Sequence, residues 1–599
     1  MWKYIGFLFM LLITSVSYGQ NKSLADNYFK QGEYEKALEI YQELYRQTPS
    51  NNTLFIDLVK THQELEQYDT AEQLLEEKNK SAAHPHLLIE LAQNAFLQNK
   101  EKEANDYYED ALERLKDRPI FASNAGRILE EYNLLAWAEE VYLLGMAENT
   151  NNINLQMRLA NLYGIQGKLH KMFNAYIDLI EKEPRYTNTI QHRFSYYIEE
   201  NENNDANKIF KRVLMQKIQN EPQLLYYDLL SWVFVQEKDY KKAFVQEKAI
   251  RNRDKEQGLR RVKDLAVLAY SDSEFDLTSE IAEYILEEAE DDDLQTIFDA
   301  EHLLLQVDIA SATEKEYPKV VDNFKTLIEK YKDQANVAIL EMDYAQFIAY
   351  KLDEKEKAIT KLKETLSRNL NRHTESRIRL LLGDILVTNN QFNPALIQFT
   401  HVQRNMEGQP LGHEANFKIA QTSYFKGDFK WALTQLDILK RATTQLIAND
   451  AMFLNLRIQD NILDDSTHTA LKEFAVADLL VLQGKTDQAI QQLNNILVKH
   501  DGKSIIDDAH FKLGELYYDQ KNYEKAAEHW KVITKSYAYD LLGDAAFYKL
   551  GMLYEEEFHQ PEKAMEYYEK IIFDYSDSIF FVDARKRFRK LRGDFNPET

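Results

Sequence analysis

The fold is decided by residues 513–533: Leu513-Gly514-Glu515-Leu516-Tyr517-Tyr518, the polar turn Asp519-Gln520-Lys521-Asn522, then Tyr523-Glu524-Lys525-Ala526-Ala527-Glu528-His529-Trp530-Lys531-Val532-Ile533. Counted from Gly514, an aromatic stands at +3 (Tyr517), a small residue at +12 (Ala526), an aromatic at +16 (Trp530) and an apolar residue at +19 (Ile533). Residues three and four apart share one helix face, so the stretch predicts two short helices joined by a turn. Small residues at 0 and +12 predict close approach of the two helices. The aromatic at +16 is expected to fill the gap to the next pair.

The same offsets recur along the chain. Ala25 leads to Tyr28, Ala37, Tyr41 and Leu44; Gly126 to Leu129, Ala138 and Tyr142; Ala160 to Tyr163, Met172 and Tyr176; Gly383 to Leu386, Ala395 and Phe399. The anchors Ala25, Val59, Ala92, Gly126, Ala160, Phe194, Ser231 and Ala266 are spaced by 34, 33, 34, 34, 34, 37 and 35 residues. A period near 34 built from two helical patterns implies a helix–turn–helix solenoid, here of about fifteen repeat-like units. Gly in turns such as Gln31-Gly32-Glu33 and Lys426-Gly427-Asp428 supplies a left-handed helix end.

The array is uneven. Ala345 follows Ala300 by 45 residues, and the acidic run Glu287, Glu288, Glu290, Asp291, Asp292 and Asp293 precedes that interval. From Ala345 the spacing becomes 38 and then 37, and the 57 residues from Ala420 to Ala477 leave room for an extra helix around Leu446 to Leu463. The expected organisation is a leader over 1–19, an N-terminal array over 20–286, an irregular helical segment and hinge over 287–375, a C-terminal array with a capping helix over 376–592, and a tail over 593–599.

Composition agrees with an all-α chain. Of 599 residues only 18 are Gly and 10 Pro, under 5% where about 12% is usual, which argues against sandwiches, barrels and propellers. Hydrophobic residues make up 44%, with 36 Tyr and 30 Phe, enough for a large core. The net charge of −25 disfavours nucleic acid and anionic lipid as partners unless a basic patch is segregated. With no Cys there is no disulfide, thiolate metal site, cysteine nucleophile or lipid-bearing cysteine.

The first twenty residues have the three-part layout of a secretory signal. Lys3 is basic, Ile5 to Val16 is apolar, and Ser17-Tyr18-Gly19 puts small residues around an expected cleavage after Gly19. A run of ~12 residues is short of the ~20 that span a bilayer, so a cleaved leader is favoured over an anchor. The mature chain is expected to be periplasmic, with no transmembrane span.

The residues Leu513-Gly514/Tyr517/Ala526/Trp530 and Leu550-Gly551/Tyr554/Ala564/Tyr568 resemble the tetratricopeptide repeat family. In the second set the Ala falls at +13, one residue being inserted in the turn. Asp508-Ala509, Gly543-Asp544-Ala545 and the ending Tyr575-Ser576-Asp577-Ser578 are similar to periplasmic members of that family, such as the outer-membrane assembly lipoprotein and the Tol–Pal coordinator. The missing lipid-attachment cysteine departs from the former. The resemblance implies an α-solenoid that binds a protein or peptide in a concave groove lined by the first helix of each repeat. On those helices Phe96, Trp232, Phe417, Tyr424, Phe511, Tyr518 and Tyr548 are the candidate partner-binding residues, aromatics giving large contact area for little lost entropy. Lys22 and Asp26, and Met157 and Asn161, stand where some arrays clamp a C-terminal carboxylate, and a clamp of that kind is not expected.

Chemistry is sparse. His84 and His86 flank Pro85 without a third ligand, and no His-Glu-x-x-His, phosphate loop or Gly-x-Ser-x-Gly occurs. The acidic run lacks the Gly and alternating ligands of a calcium loop and reads as a solvated helix end. Arg585, Lys586, Arg587, Arg589, Lys590 and Arg592 form a basic cluster, read as a capping helix or as a contact for an acidic partner or lipid headgroups. No catalytic residue, metal or cofactor is expected. The expected function is an exported scaffold or adaptor that binds other proteins. The alternatives are an accessory subunit of an outer-membrane assembly or secretion machine, and a glycan- or peptidoglycan-acting enzyme on a helical scaffold.

Overall fold

The computed structural model describes residues 21–148, 152–255, 259–439, 445–462 and 467–593. The leader over 1–19, its cleavage point and tail residues 594–599 lie outside these. The described residues are helical throughout, with no strand among them. The chain divides into two compact units at Ala300/Glu301. Each is an all-α solenoid of antiparallel helix pairs packed in sequence.

In the N-terminal unit the pairs run from residues 21–30 with Tyr34–Gln47 to Arg260–Ser271 with Phe275–Glu288. The acidic run closes the last of these helices. Asp293 accepts a hydrogen bond from the Thr296 backbone N–H at 3.1 Å, which caps the helix that follows. In the C-terminal unit the pairs include Val337–Tyr350 with Lys355–Leu366, Arg372–Thr388 with Phe392–Asn405, and Pro410–Phe425 with Phe429–Leu439. One helix, Gln445–Asn461, then stands without a second helix before the pairs resume at Thr469–Leu482 with Thr486–Lys499. Ile505–Asp519 with Tyr523–Ser536, Gly543–Glu556 with Pro561–Asp574, and the final helix Phe581–Arg592 complete the unit.

The turn within a pair is one geometry repeated. The residue at +7 from the anchor is left-handed at Gly32, Gly167, Gly427 and Gly484, and equally at Glu66, Asn99, Asn133, Lys238, Ser273, Asn390 and Lys521. Its neighbour's N–H reaches back to the carbonyl at +3, as in Lys485 to Leu480 (2.9 Å) and Asn522 to Tyr517 (2.8 Å). This satisfies a carbonyl that the helix end would otherwise orphan. At Asp353 and His559 the left-handed residue moves to +8, and the buried Ala of the second helix moves with it to +13 (Ala358, Ala564). Left-handed backbone strains a side chain least at Asn, and costs nothing at Gly, so the turn survives wherever packing on both sides holds it.

The +16 aromatic does something other than the sequence suggested. It lies on the small anchor of its own pair. A methyl added at Gly126 would overlap the Tyr142 ring, one at Gly383 the Phe399 ring, and one at Gly514 the Trp530 indole. Gly551 meets Tyr568 in the same way, one residue later. The missing Cβ is the hole into which the ring fits. Trp530 is 1% exposed and its indole N–H donates to the Phe511 carbonyl at 3.3 Å. At two of the Tyr positions a first-helix carboxylate takes the hydroxyl: Asp26 for Tyr41 (2.7 Å) and Glu555 for Tyr568 (2.7 Å).

Candidate partner-binding surface

The seven candidate aromatics divide sharply. Tyr424 and Phe511 are core side chains at 1% and 6% exposure, so neither stands on an open face as the sequence reading had them. The reason is local: Tyr424 packs with Phe425 and Phe429, and its hydroxyl donates to Asp478 at 3.0 Å. Trp232 is half-buried against Phe194 and Phe210. Tyr518 leans on Tyr523 and Trp530, while Tyr548 stacks on Phe580 at 4.5 Å and donates to Asp583. Phe96 is exposed at 51%. Phe417 is half-buried and lines a cavity.

That cavity, of 390 Å³, lies between the Pro410–Phe425, Gln445–Asn461 and Thr469–Leu482 helices. Phe417, Phe425, Phe453, Val481 and Leu482 form its apolar wall, and Gln421, Asp450 and Lys512 supply polar atoms. Its floor is an ion-pair network. Arg457 Nε donates to Asp508 Oδ1 at 2.7 Å and Nη1 to Asp478 Oδ2 at 3.2 Å. Asn461 donates to the other Asp508 oxygen at 2.9 Å, and the guanidinium lies over the Phe474 ring at 5.0 Å. Burial opposes the charge on Arg457, but Asp508 and Asp478 outweigh it and hold the guanidinium protonated. Burial pushes the Asp508 carboxyl above its ordinary value in spite of Arg457. Burial, with Asp478 beside it, pushes the Tyr424 phenol far up. Buried charges of this kind are stable only when paired and hydrogen-bonded.

The unpaired helix creates this arrangement. It buries Ala451, Leu454 and Ile458 and sends Arg457 to carboxylates on two successive first helices. Meanwhile Pro410–Phe425 packs directly on Thr469–Leu482, so the stack continues past the insertion. Gln483 at the end of the latter reaches back to the Thr388 carbonyl (3.1 Å) and Asn390 (3.1 Å). The sequence reading located the extra helix and quoted Asp508 only within a family motif; it named none of Arg457, Asp478 or Phe453. A signal was present: Arg457 sits among Leu454, Leu456 and Ile458, an apolar setting in which a cation needs acidic partners.

Among the described residues no three His, Asp or Glu side chains converge on a metal position. His84 and His86 stack on each other at 5.3 Å. His510 and His529 share a hydrogen bond between their Nδ1 atoms at 2.9 Å, and burial pushes both imidazoles down, His529 to about 4.

Three stretches match tetratricopeptide repeat models: 28–88, 474–540 and 545–578. The first of these stretches lies in the N-terminal unit and the other two in the C-terminal unit. No curated protein matches it by sequence. Among solved structures it is similar to that of Naa15/Naa10 bound to HypK-THB, at 12% identity over 97% of this chain and 88% of the other, with a TM-score of 0.35. It is also similar to the APC/C hetero-tetramer Cut9–Hcn1, at 12% identity over 97% and 98% of the two chains and a TM-score of 0.24. Neither likeness bears on what this chain binds. No helix among the described residues is long and apolar enough to cross a membrane.

Proposed function

We propose that the chain is an exported, periplasmic, non-catalytic scaffold that binds a protein partner through the first-helix surface of its C-terminal unit. The observation that carries this reading is the 390 Å³ cavity: an aromatic wall around Phe417 and Phe453 above a fully paired charge network. Aromatic side chains in a recess are what a binding hot spot requires, and the paired floor leaves no charge to be satisfied by the partner. The partner's side chain there is apolar or aromatic. Export is supported by the basic, apolar and small-residue order of residues 1–19.

A photo-crosslinking residue placed at Phe417 in cells should capture a discrete envelope protein. One placed at Val498, which is 85% exposed on a second helix, should not. Equal capture at both positions, or none at Phe417, overturns the surface. Whether the captured protein belongs to an outer-membrane assembly or secretion machine separates that role from a general adaptor. Mass analysis of the chain from the envelope should find Gln20 first, and an intact Met1 would remove the export assignment.

A further inference from the structure

The end of the C-terminal unit carries a surface that the groove does not use. The final helix, Phe581–Arg592, packs one face on its neighbours: Ala584 is buried, and Arg587 pairs with Glu555 (3.1 Å), Glu556 (2.8 Å) and Asp583 (2.8 Å). Four other cations on the same helix, Arg585, Lys586, Arg589 and Lys590, make no ion pair among the described residues. In a chain of net charge −25 this is segregated positive charge.

Apolar side chains stand beside it. Val582 is 68% exposed at the start of that helix, and Ile579 is 73% exposed in the turn before it. Phe573 (74%) stands in the last turn of the Pro561–Asp574 helix that leads into it, and Tyr539 (96%) in the turn between Tyr523–Ser536 and Gly543–Glu556. The turns are tied together, since the Tyr575 hydroxyl donates to the Ala538 carbonyl at 2.5 Å. These side chains stand out as separate protrusions. A protein hot spot buries an aromatic in a packed pocket, whereas isolated protruding tips beside cations suit a fluid layer that closes around them.

We propose that this end docks on an anionic lipid bilayer, the four cations meeting lipid phosphates and Ile579, Val582, Phe573 and Tyr539 entering the headgroup boundary. Charge complementarity selects the occupant: clusters of four or more Lys/Arg on an amphipathic helix are drawn to anionic headgroups, with a range of about 8 Å at physiological salt. The remaining acidic surface is kept off the bilayer by the same field, so contact is made end-on by this helix.

The test uses the chain from Gln20 onward, which omits an apolar leader that would itself partition into lipid. It is sedimented with vesicles of phosphatidylcholine alone or of phosphatidylcholine with 30% phosphatidylglycerol. Binding to the anionic vesicles should exceed binding to the neutral ones about tenfold or more and should fall steeply in half-molar salt. The variant Arg585→Ser/Lys586→Ser/Arg589→Ser/Lys590→Ser should lose that preference, and Ile579→Ser/Val582→Ser should lose several-fold with its salt dependence intact. Arg585, Lys586, Lys590 and both apolar residues are exposed and Arg589 is half-buried, and a thermal melt confirms that each variant is folded. Equal binding to both vesicles, or wild-type binding by the quadruple variant, overturns the proposal. So does a wild-type chain that ignores vesicles while the quadruple variant loses a crosslink to an acidic envelope protein, which would give the surface to that protein.

Discussion

Two regions of the molecule solve one electrostatic problem differently. In the N-terminal unit Lys22 lies 2.8 Å from Asp26 and 3.1 Å from Asp57, carboxylates on two successive first helices. In the C-terminal unit Arg457 does the same for Asp478 and Asp508. The Lys22 site keeps its side chains 25–38% exposed, and the cation belongs to the repeat itself. At the Arg457 site exposure falls to 5–15%, and the cation arrives on the inserted helix. Burial follows the insertion. A ladder of carboxylates that water can screen in one unit depends in the other on a single guanidinium, whose fork can serve both acids at once.

The comparison breaks if Arg457 and Lys22 are energetically alike. Arg457→Leu strands two buried carboxylates, so it should destabilise the C-terminal unit by about 3–5 kcal/mol, read by chemical melting. Lys22→Met should cost the N-terminal unit no more than ~1 kcal/mol. Similar losses at the two sites would show that insertion did not deepen the network.

Tyr424→Ala should also cost about 3–5 kcal/mol, because a fully buried ring and its hydrogen bond to Asp478 are removed together. Phe417→Ala, on the cavity wall, should shift the melting temperature far less while reducing crosslinking to a partner. A Tyr424 variant with an unchanged melt would return that residue to the open face that the sequence suggested.

Ala526→Leu tests how far damage travels. Ala526 is fully buried between the helices of its pair, and overpacking costs about 1–3 kcal/mol. Since repeats couple chiefly to their neighbours, hydrogen exchange should rise over roughly residues 505–574 and stay low in the N-terminal unit. Uniform loss across both units would contradict a stack of locally coupled pairs.

The smallest effect is a pH dependence at Asp507, which sits beside the network and is 2% exposed. Burial, then the Asp508 charge, push its carboxyl from 3.8 to about 7. The folded chain thus holds a proton that the unfolded chain has already released between these values. Stability from this group is present at low pH and is lost as pH rises through that window. Asp507→Asn should remove the loss, so its melting advantage over the parent should grow from about pH 4 to pH 7 and level off above that. A constant difference would mean that Asp507 is ionised throughout.

Much of the architecture was legible in local pattern. Spacings such as Gly514/Ala526/Trp530 are set within one helix pair, and each pair is formed by residues under forty positions apart. The +7 turn shows the limit of reading residue type: Gly32 and Gly427 announce it, whereas Lys521 and Glu66 adopt the same left-handed backbone without a sequence cue. Of the candidate aromatics, Phe417 was placed on a recess, while Tyr424 and Phe511 went to the core. Periodicity identifies the helix face but not what another helix will lay over it.

By itself, then, the sequence determined the all-α class, the repeat, the pairing of helices and the position of the extra helix, because periodicity and turn chemistry act over a few residues. Only the tertiary structure decided that the +16 ring enters the hole left by its own anchor, and that Gln445–Asn461 brings Phe453 and Arg457 to one cavity with Phe417 and the buried Tyr424. Only it joined Arg457 to Asp478 and to Asp508, 51 residues away. Those contacts arise from the direction in which one unpaired helix packs across its neighbours, and that direction is set by the summed burial of many side chains rather than by any local signal.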